Sequence, residues 1–338
     1  MAIKSKSFGT TANGEQTTLF TITNKNGFIL EVTDFGATWV SAKIPTSSGL
    51  IDTVLGYDTV TGFEVNSGQL GTIVGRHANR MAGACCTLDG VTHRMVMTNP
   101  AQNYNIHSGP DYYGKRMWES EVLEADNAVK FSLFSPDGDQ GLPGNLKLSV
   151  TYRLTEDNNV KLIYDAVSDA KTVLNPTNHV YFNLNGHDSG TIWNHVMHVD
   201  STKVTETVND IPTGKLLDVA DTHFDYTTAR PVADPLDDNF CKEPHHTLAQ
   251  PRITCTGEKS GIRMHVHTDL PGIQIYTANG LNAKNGKGGI DYGKGTGICF
   301  ESQYYVNAIN TDSPEFDKPI LEKGVPFHSE TWYRYEVM

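Results

Sequence analysis

Apolar and polar residues alternate along much of the chain. In LKLSVTYRLT (146–155), Leu146, Leu148, Val150, Tyr152 and Leu154 fall on one face, and Lys147, Ser149, Thr151 and Arg153 on the other. Period two is the mark of a strand with one face in a core. EDNN (156–159) follows, and VKLIYDAVSD (160–169) resumes the alternation at Val160, Leu162, Tyr164 and Ala166. The pair predicts a hairpin closed by a short loop. Similar runs recur at TLFTIT, GFILEVTDFG, AVKFSLFS, GIRMHVHT, GIQIYTAN, GICFESQYY and TWYRYEVM, separated by turn formers such as NKNG, DGDQG, LPGN and NGKGG. No long stretch carries an i, i+3, i+4, i+7 stripe; only TVTGFEVN (59–66) reads as a helical turn or two. Strands without long helices between them exclude a doubly wound α/β sheet. The pattern predicts an all-β chain: one large antiparallel sandwich or barrel domain over 1–338, undivided by linker, charge run or internal repeat.

A length of 338 residues is about two domain-lengths by the rough 150-residue rule, a rule that large β domains exceed. With 38% apolar and 20% charged residues the chain can bury a sizeable core, which excludes a disordered protein. Lys plus Arg is 27 against 39 Asp plus Glu, a formal net charge of −12. The basic residues are scattered, so nothing draws the chain to nucleic acid or to an anionic membrane. No apolar run is long enough for a membrane helix. The basic N-terminal stretch lacks the apolar segment of a secretory signal. Five irregularly spaced cysteines (Cys85, Cys86, Cys241, Cys255, Cys299) suit reduced thiols, and a cytoplasmic protein is expected.

Four segments carry candidate chemistry. In NPTNHVYFNLNGH (175–187), a strand would put His179, Tyr181 and Asn183 on one face and Val180, Phe182 and Leu184 on the other. Such a polar face lines either bulk water or a cleft. In GICFESQYY (297–305), Cys299, Glu301 and Gln303 share a face opposite Ile298 and Phe300. A glutamate desolvated there would have its pKa raised from ~4.3 toward neutrality, as a general base requires; the bland reading is a solvated edge residue. GRHANRMAG (75–83) offers Arg76 and Arg80 as a clamp for phosphate, carboxylate or sugar hydroxyls, or merely as surface arginines in a turn. NYNIHSG (103–109) places His107 in a turn-rich loop, where a lone histidine is usually surface.

Metal spacing is poor. His265-Val-His267, His195-x-x-His198 and His245-His246 are pairs without the further ligands of known metal motifs, so no metal is expected. No G-x-S-x-G or protease-type cysteine signature supports covalent catalysis. Glu301 with Asp237 or Asp238 supplies two carboxyl groups, which keeps a glycoside hydrolase as an alternative.

Taken together, these segments resemble the aldose 1-epimerase family, the galactose mutarotases, over nearly the whole chain and in the family's order. GRHANRMAG is similar to its Gly-Arg-x-Ala-Asn-Arg motif, and NYNIHSG to its Asn-rich Leu-His-Gly-Gly loop. GLPGNLKLSVTY resembles its Pro-Gly hairpin entry, and NPTNHVYFNLNGH its central motif. PLDDNFC, LPGIQIYTAN and GICFESQ look like its remaining site segments. The resemblance implies a large antiparallel sandwich, the mutarotase-like supersandwich. It implies interconversion of the α and β anomers of free aldoses such as D-galactose and D-glucose. His179 would be the general acid, and Glu301 the general base. Asn79, Arg80, His107, Asp237 and Gln274 would bind sugar hydroxyls. One acid and one base suffice without a cofactor, and the implied partner is a small neutral sugar acted on by a monomer or homodimer. A catalytically silent sugar-binding sandwich would need neither Glu301 nor His179. The chain departs from the family at Ile106, Ser108, Leu70 and Pro235-Leu236, positions expected around the substrate envelope.

Overall fold

A computed structural model of the protein describes residues 2–65 and 68–338. Among these residues the backbone builds a nine-stranded, a six-stranded and a five-stranded sheet, with every neighbouring pair of strands antiparallel. The hairpin expected from the alternation is the pair Leu146–Leu154 and Asn159–Ser168, in register from Leu146↔Ser168 to Leu154↔Val160. The short helical segment is Val60–Glu64.

The inward residues of all three sheets meet in one hydrophobic cluster. Leu148, Val150 and Tyr152 come from the nine-stranded sheet, Ile275, Ile298 and Phe300 from the six-stranded sheet, and Ile22, Leu30 and Trp39 from the five-stranded sheet. Trp39 lies near the centre, edge-on to Tyr152, Phe182 and Tyr333 at 5.5–6.2 Å. Such edge-to-face packing fits the quadrupoles of the rings.

The six-stranded sheet positions the site. Its order runs Tyr181–Phe182, Ile298–Gln303, Gly272–Tyr276, Asp237–Cys241, Lys203–Val208, Ile211–Asp218. Because side chains alternate across a sheet, sending Ile298 and Phe300 into the core turns Cys299 and Glu301 to the other face. The register then builds two rows on that face. Tyr181, Cys299, Tyr276 and Asp237 are successive cross-strand partners in one row, and Glu301, Gln274 and Asn239 in the next.

One expected strand is much shorter than the alternation suggests. HVYFNLN contributes only Tyr181–Phe182, while Thr177–Asn178 pairs separately with Ile73–Val74. Asn183 does not share a cleft with His179. Its Nδ2 donates to the carbonyls of Gly190 (3.0 Å) and Thr296 (3.1 Å), which ties down a neighbouring loop.

Candidate active site

The motifs GRHANRMAG and NYNIHSG are 20 or more positions apart but form one small sheet: Arg80–Ala82 pairs with Tyr104–Ile106, Arg80 opposite Ile106. Asn79 and His107 flank that pairing, both in left-handed backbone (φ 62° and 55°). These two residues bind each other through one main-chain bond and one bond to the imidazole. The His107 N–H donates to the Asn79 carbonyl (3.0 Å), and the Asn79 N–H donates to His107 Nδ1 (3.1 Å). With Nδ1 occupied as an acceptor, the hydrogen of the neutral ring must sit on Nε2. Burial holds His107 well below its ordinary pKa, helped by the neighbouring His179, Arg80 and His77. His107 is therefore a neutral donor.

This small sheet lies against these two rows of the six-stranded sheet, and a cavity of about 280 Å³ lies between them. Asn79, Arg80, His107, His179, Asp237 and Glu301 all line it. Arg80 Nη2 donates to Asp237 Oδ2 at 2.9 Å, and Gln274 Nε2 to Asp237 Oδ1 at 2.8 Å. Asn79 Oδ1 accepts from the Arg80 N–H at 2.9 Å. One wall thus presents a fixed guanidinium, a carboxylate and an amide, groups that can pair with several hydroxyls at set angles.

The same cavity holds the titratable pair. His179 Nε2 is 3.7 Å from Glu301 Oε1, and both side chains are buried. Burial pushes the His179 imidazole down to about 4, against small upward effects from its own main chain and Asp237. Burial pushes the Glu301 carboxyl well above the ordinary carboxylate range; Asp237 adds to this and Arg80 opposes it. Burial makes the charged form of each group costly, which favours an uncharged pair that holds one proton in common. Glu301 Oε2 has no hydrogen-bond partner among the described residues.

Six of the seven expected site residues therefore converge, and the solvated-edge reading of Glu301 does not hold. Gln274 is buried beside Glu301 in the same row, and its Nε2 hydrogen bond holds the Asp237 carboxylate. Arg76 corrects the idea of a two-arginine clamp. It is fully buried away from the cavity, and its Nη1 donates to the carbonyls of Pro143 (2.8 Å) and Gly144 (3.2 Å) and to Thr172 Oγ1 (3.2 Å). Removing it strands those acceptors, so Arg76→Met is predicted to cost about 3–5 kcal/mol of stability. A urea unfolding midpoint equal to the parent's would overturn that role.

The departures from the family pattern lie mostly behind the cavity wall rather than in it. Of Ile106, Ser108, Leu70 and Leu236, only Ile106 lines the cavity. Ser108 Oγ accepts from the His77 N–H (2.8 Å) and donates to the His77 carbonyl (3.1 Å), while Leu70 and Leu236 are core residues. Tyr276 and Leu281 also line the cavity and were not singled out from the sequence. Tyr276 was legible as the same-face neighbour of Gln274, two residues on; Leu281 stands in a loop and gave no signal.

Among the described residues two groups bring three potential metal donors within 4.8 Å: His107, His179 and Glu301, and Asp200, His245 and His246. Hydrogen bonds argue against both as ligand sets. His107 carries its hydrogen on Nε2, as above. His246 Nδ1 accepts from the Glu243 N–H (3.0 Å), so its Nε2 carries the hydrogen that it gives to Asp200 (2.8 Å). His265 and His267 do not converge; the first meets Glu336 (3.2 Å) and the second the Leu248 carbonyl (3.2 Å). His195 Nε2 accepts from the Leu184 N–H.

The sequence profile of aldose 1-epimerase matches residues 18–334. The chain belongs to the aldose 1-epimerase family. It is 34% identical to the aldose 1-epimerase of Escherichia coli K12, over 96% of both chains, and 33% identical to the galactose mutarotase of Bos taurus, over 91% of both. Its fold superimposes on the GalM/aldose epimerase homologue of C. elegans with a TM-score of 0.88, at 29% identity, covering 95% of this chain and 99% of the other. The galactose 1-epimerase structure from Lactobacillus acidophilus gives 0.84 at 22% identity, covering 99% of each, and supports the fold. The all-β antiparallel class predicted from the strand pattern agrees with these matches, and the sandwich is the architecture that the family resemblance implied.

Proposed function

We propose that this epimerase interconverts the α and β anomers of free aldoses such as D-galactose and D-glucose, with Glu301 as base and His179 as acid. The observation that carries the assignment is the buried His179–Glu301 pair, 3.7 Å apart in a cavity also lined by Asn79, Arg80, His107 and Asp237, groups suited to binding hydroxyls. Ring opening needs a proton taken from the C1 hydroxyl and a proton given to the ring oxygen. The Glu301 carboxylate takes the first as the C1–O5 bond breaks, the C1–O1 bond becomes a carbonyl, and His179 gives the second from Nε2. Rotation about C1–C2 turns the aldehyde over. Closure runs both transfers backward and restores the pair. Each transfer supplies roughly 10²–10⁴-fold. Arg80, Asn79, His107 and Asp237 hold the hydroxyls meanwhile, and the Nε2–H of His107 is a fixed donor for negative charge developing on the sugar.

The resting and reacting arrangements hold the same number of protons. Moving the Glu301 proton to His179 Nε2 turns the uncharged pair into carboxylate and imidazolium, and a bound sugar's hydroxyl dipoles lower the cost of that charge separation. Activity therefore requires one shared proton. It is predicted to fall below about pH 4, where His179 takes a second proton, and again at high pH, where the raised Glu301 group loses the last one. The kcat/KM profile is expected to be bell-shaped; a profile with no acid limb would sink the shared-proton reading.

Polarimetry of freshly dissolved α-D-galactose and α-D-glucose tests the activity itself. The expected result is accelerated decay of optical rotation to the spontaneous end point. Measurable sugar binding without acceleration of any free aldose would instead establish a silent binder. The same proposal takes residues 1–338 as one catalytic unit, a cytoplasmic monomer or homodimer without cofactor, nucleic acid or membrane partners. It is supported by a site built wholly from one chain, a net charge of −12 and an uncharged substrate class.

A further inference from the structure

His179 is held between two side chains of one strand. Glu301 faces Nε2 at 3.7 Å, and Cys299, two residues earlier on the same face, puts its sulfur 3.6 Å from Nδ1. Cys299 is fully buried, with Tyr181 and Tyr276 as its cross-strand partners. The rings of those tyrosines lie 5.0 and 6.3 Å from the imidazole, and that of His107 lies 5.3 Å from it. Among the described residues, Cys299 is the one side chain within hydrogen-bond distance of Nδ1.

We propose that Cys299 is a positioning residue for the epimerase reaction: its sulfur accepts the Nδ1 hydrogen of His179 and so reserves Nε2 as the nitrogen that exchanges protons. The inference rests on the acid–base reading above and follows from its proton balance. In the resting pair, Nδ1 carries one hydrogen and the Glu301 carboxyl the other. The Glu301 proton moves to Nε2, the carboxylate removes the C1 hydroxyl proton, and Nε2 gives its proton to the ring oxygen. The Nδ1 hydrogen stays in place at every step. Were it to shift to Nε2 in the resting ring, Nε2 could no longer accept the proton from Glu301, and the imidazolium would form only by a detour.

A thiol suits this task. Burial holds it well above its ordinary pKa, reinforced by the charges of Glu301 and Asp237, so the sulfur stays neutral and does not strip the ring of its hydrogen. A carboxylate at this position would stabilise the imidazolium and pull the shared proton permanently onto His179. Among the described residues the other groups that act on His179 are Glu301 on the other nitrogen, the main chain of His179 itself, Tyr181, Tyr276 and His107 through their rings, and Asp237 through its charge.

The test compares the parent with Cys299→Ala and Cys299→Ser by polarimetric kinetics and by the ¹⁵N chemical shifts of His179. In the parent, ¹⁵N spectra of the free protein are expected to show the hydrogen on Nδ1. Cys299→Ala is expected to lower kcat by about tenfold, the size of effect one hydrogen bond supplies, with KM for galactose unchanged and the two ring tautomers mixed. Cys299→Ser, which keeps an acceptor, is expected to regain most of the rate and the Nδ1 hydrogen. A parent ring with its hydrogen on Nε2 would overturn the proposal. So would a Cys299→Ala ring whose tautomer is unchanged, whatever its rate, since packing alone would then account for any loss. The spectra are taken without sugar, so they judge Cys299 even if the kinetics of His179 and Glu301 variants were to refute the acid–base reading.

Discussion

Glu301→Gln is expected to fold at least as stably as the parent at neutral pH and to epimerise free aldoses about 10²–10⁴-fold more slowly. The two halves of this result have one cause. Glu301 is buried in a wall shared with Asp237, and its carboxyl pKa is raised well above the unfolded value. A carboxyl raised in the folded state holds its proton there while the unfolded chain releases it. Stability is therefore undiminished below the unfolded pKa and declines as pH climbs toward the folded pKa. A glutamine has the same shape without that penalty, so the melting temperature should stay level or rise, most clearly at the upper end of the pH range. The amide has no basicity with which to take the C1 hydroxyl proton, so kcat falls while the contacts of Arg80, Asn79 and Asp237 with the sugar remain. Polarimetry and thermal melting on one preparation check both halves. Undiminished kcat would refute Glu301 as the base, and a large loss of stability would show that the carboxylate is structural.

The expected trade of stability for activity also explains which parts of the molecule were legible in the sequence. Strands whose one face packs in the core announce themselves by period two. Leu146 to Leu154 and Val160 to Ala166 did so, and their register in the structure follows the pattern residue by residue. The active-site face gives no such pattern, because both faces of its strands are buried. All six residues of Ile298–Gln303 are buried, the polar ones included. Asn183 and Gln303 had seemed partners of His179 and Glu301 by alternation alone. The structure uses the first to hold a loop and the second to pack behind Asn79. Such roles depend on partners brought in from elsewhere in the chain, carbonyls for Asn183 and the Asn79 amide for Gln303.

Convergence over long separations was equally invisible to local reasoning. Arg80 and Asp237 form the cavity's ion pair across 157 positions, and Arg76, four residues before Arg80, turns the other way into a ring of carbonyls. Nothing in the spacing of two arginines within an irregular turn decides which faces a cleft. Likeness to a family supplied the site residues that periodicity could not, and the geometry refined it. Gln274 holds the Asp237 carboxylate, and Leu70, Ser108 and Leu236 shape the wall from outside the cavity. Ile106 is the departure left in a position to touch the sugar, so preference among aldoses is better sought there than at the other three.

His179→Asn is expected to lower kcat by about 10²–10⁴-fold and to change the shape of its pH dependence, which separates an acid from a mere binding group. Asparagine can keep a hydrogen bond to the sugar but has no proton to exchange between pH 3 and 10. The parent's rate follows the fraction of the pair holding one proton, giving two limbs. With His179 gone, Glu301 alone titrates, and the residual rate should rise through its elevated pKa and then level off, because only its carboxylate can start ring opening. The limb near pH 4, assigned to the imidazole, should vanish. KM for galactose should move little, since the groups proposed to bind the hydroxyls, Arg80, Asn79, His107 and Asp237, line the cavity beside the imidazole and stay in place without it. A variant that lost rate yet kept both limbs would place the acid elsewhere in the cavity. His107 is poorly suited to replace it, because the Asn79 N–H occupies its Nδ1 and an imidazolium there would sit beside Arg80. His179 meets the Glu301 carboxyl group through Nε2, and replacement of the two-limbed profile by a single rise through the elevated Glu301 pKa is the result that would establish that pairing.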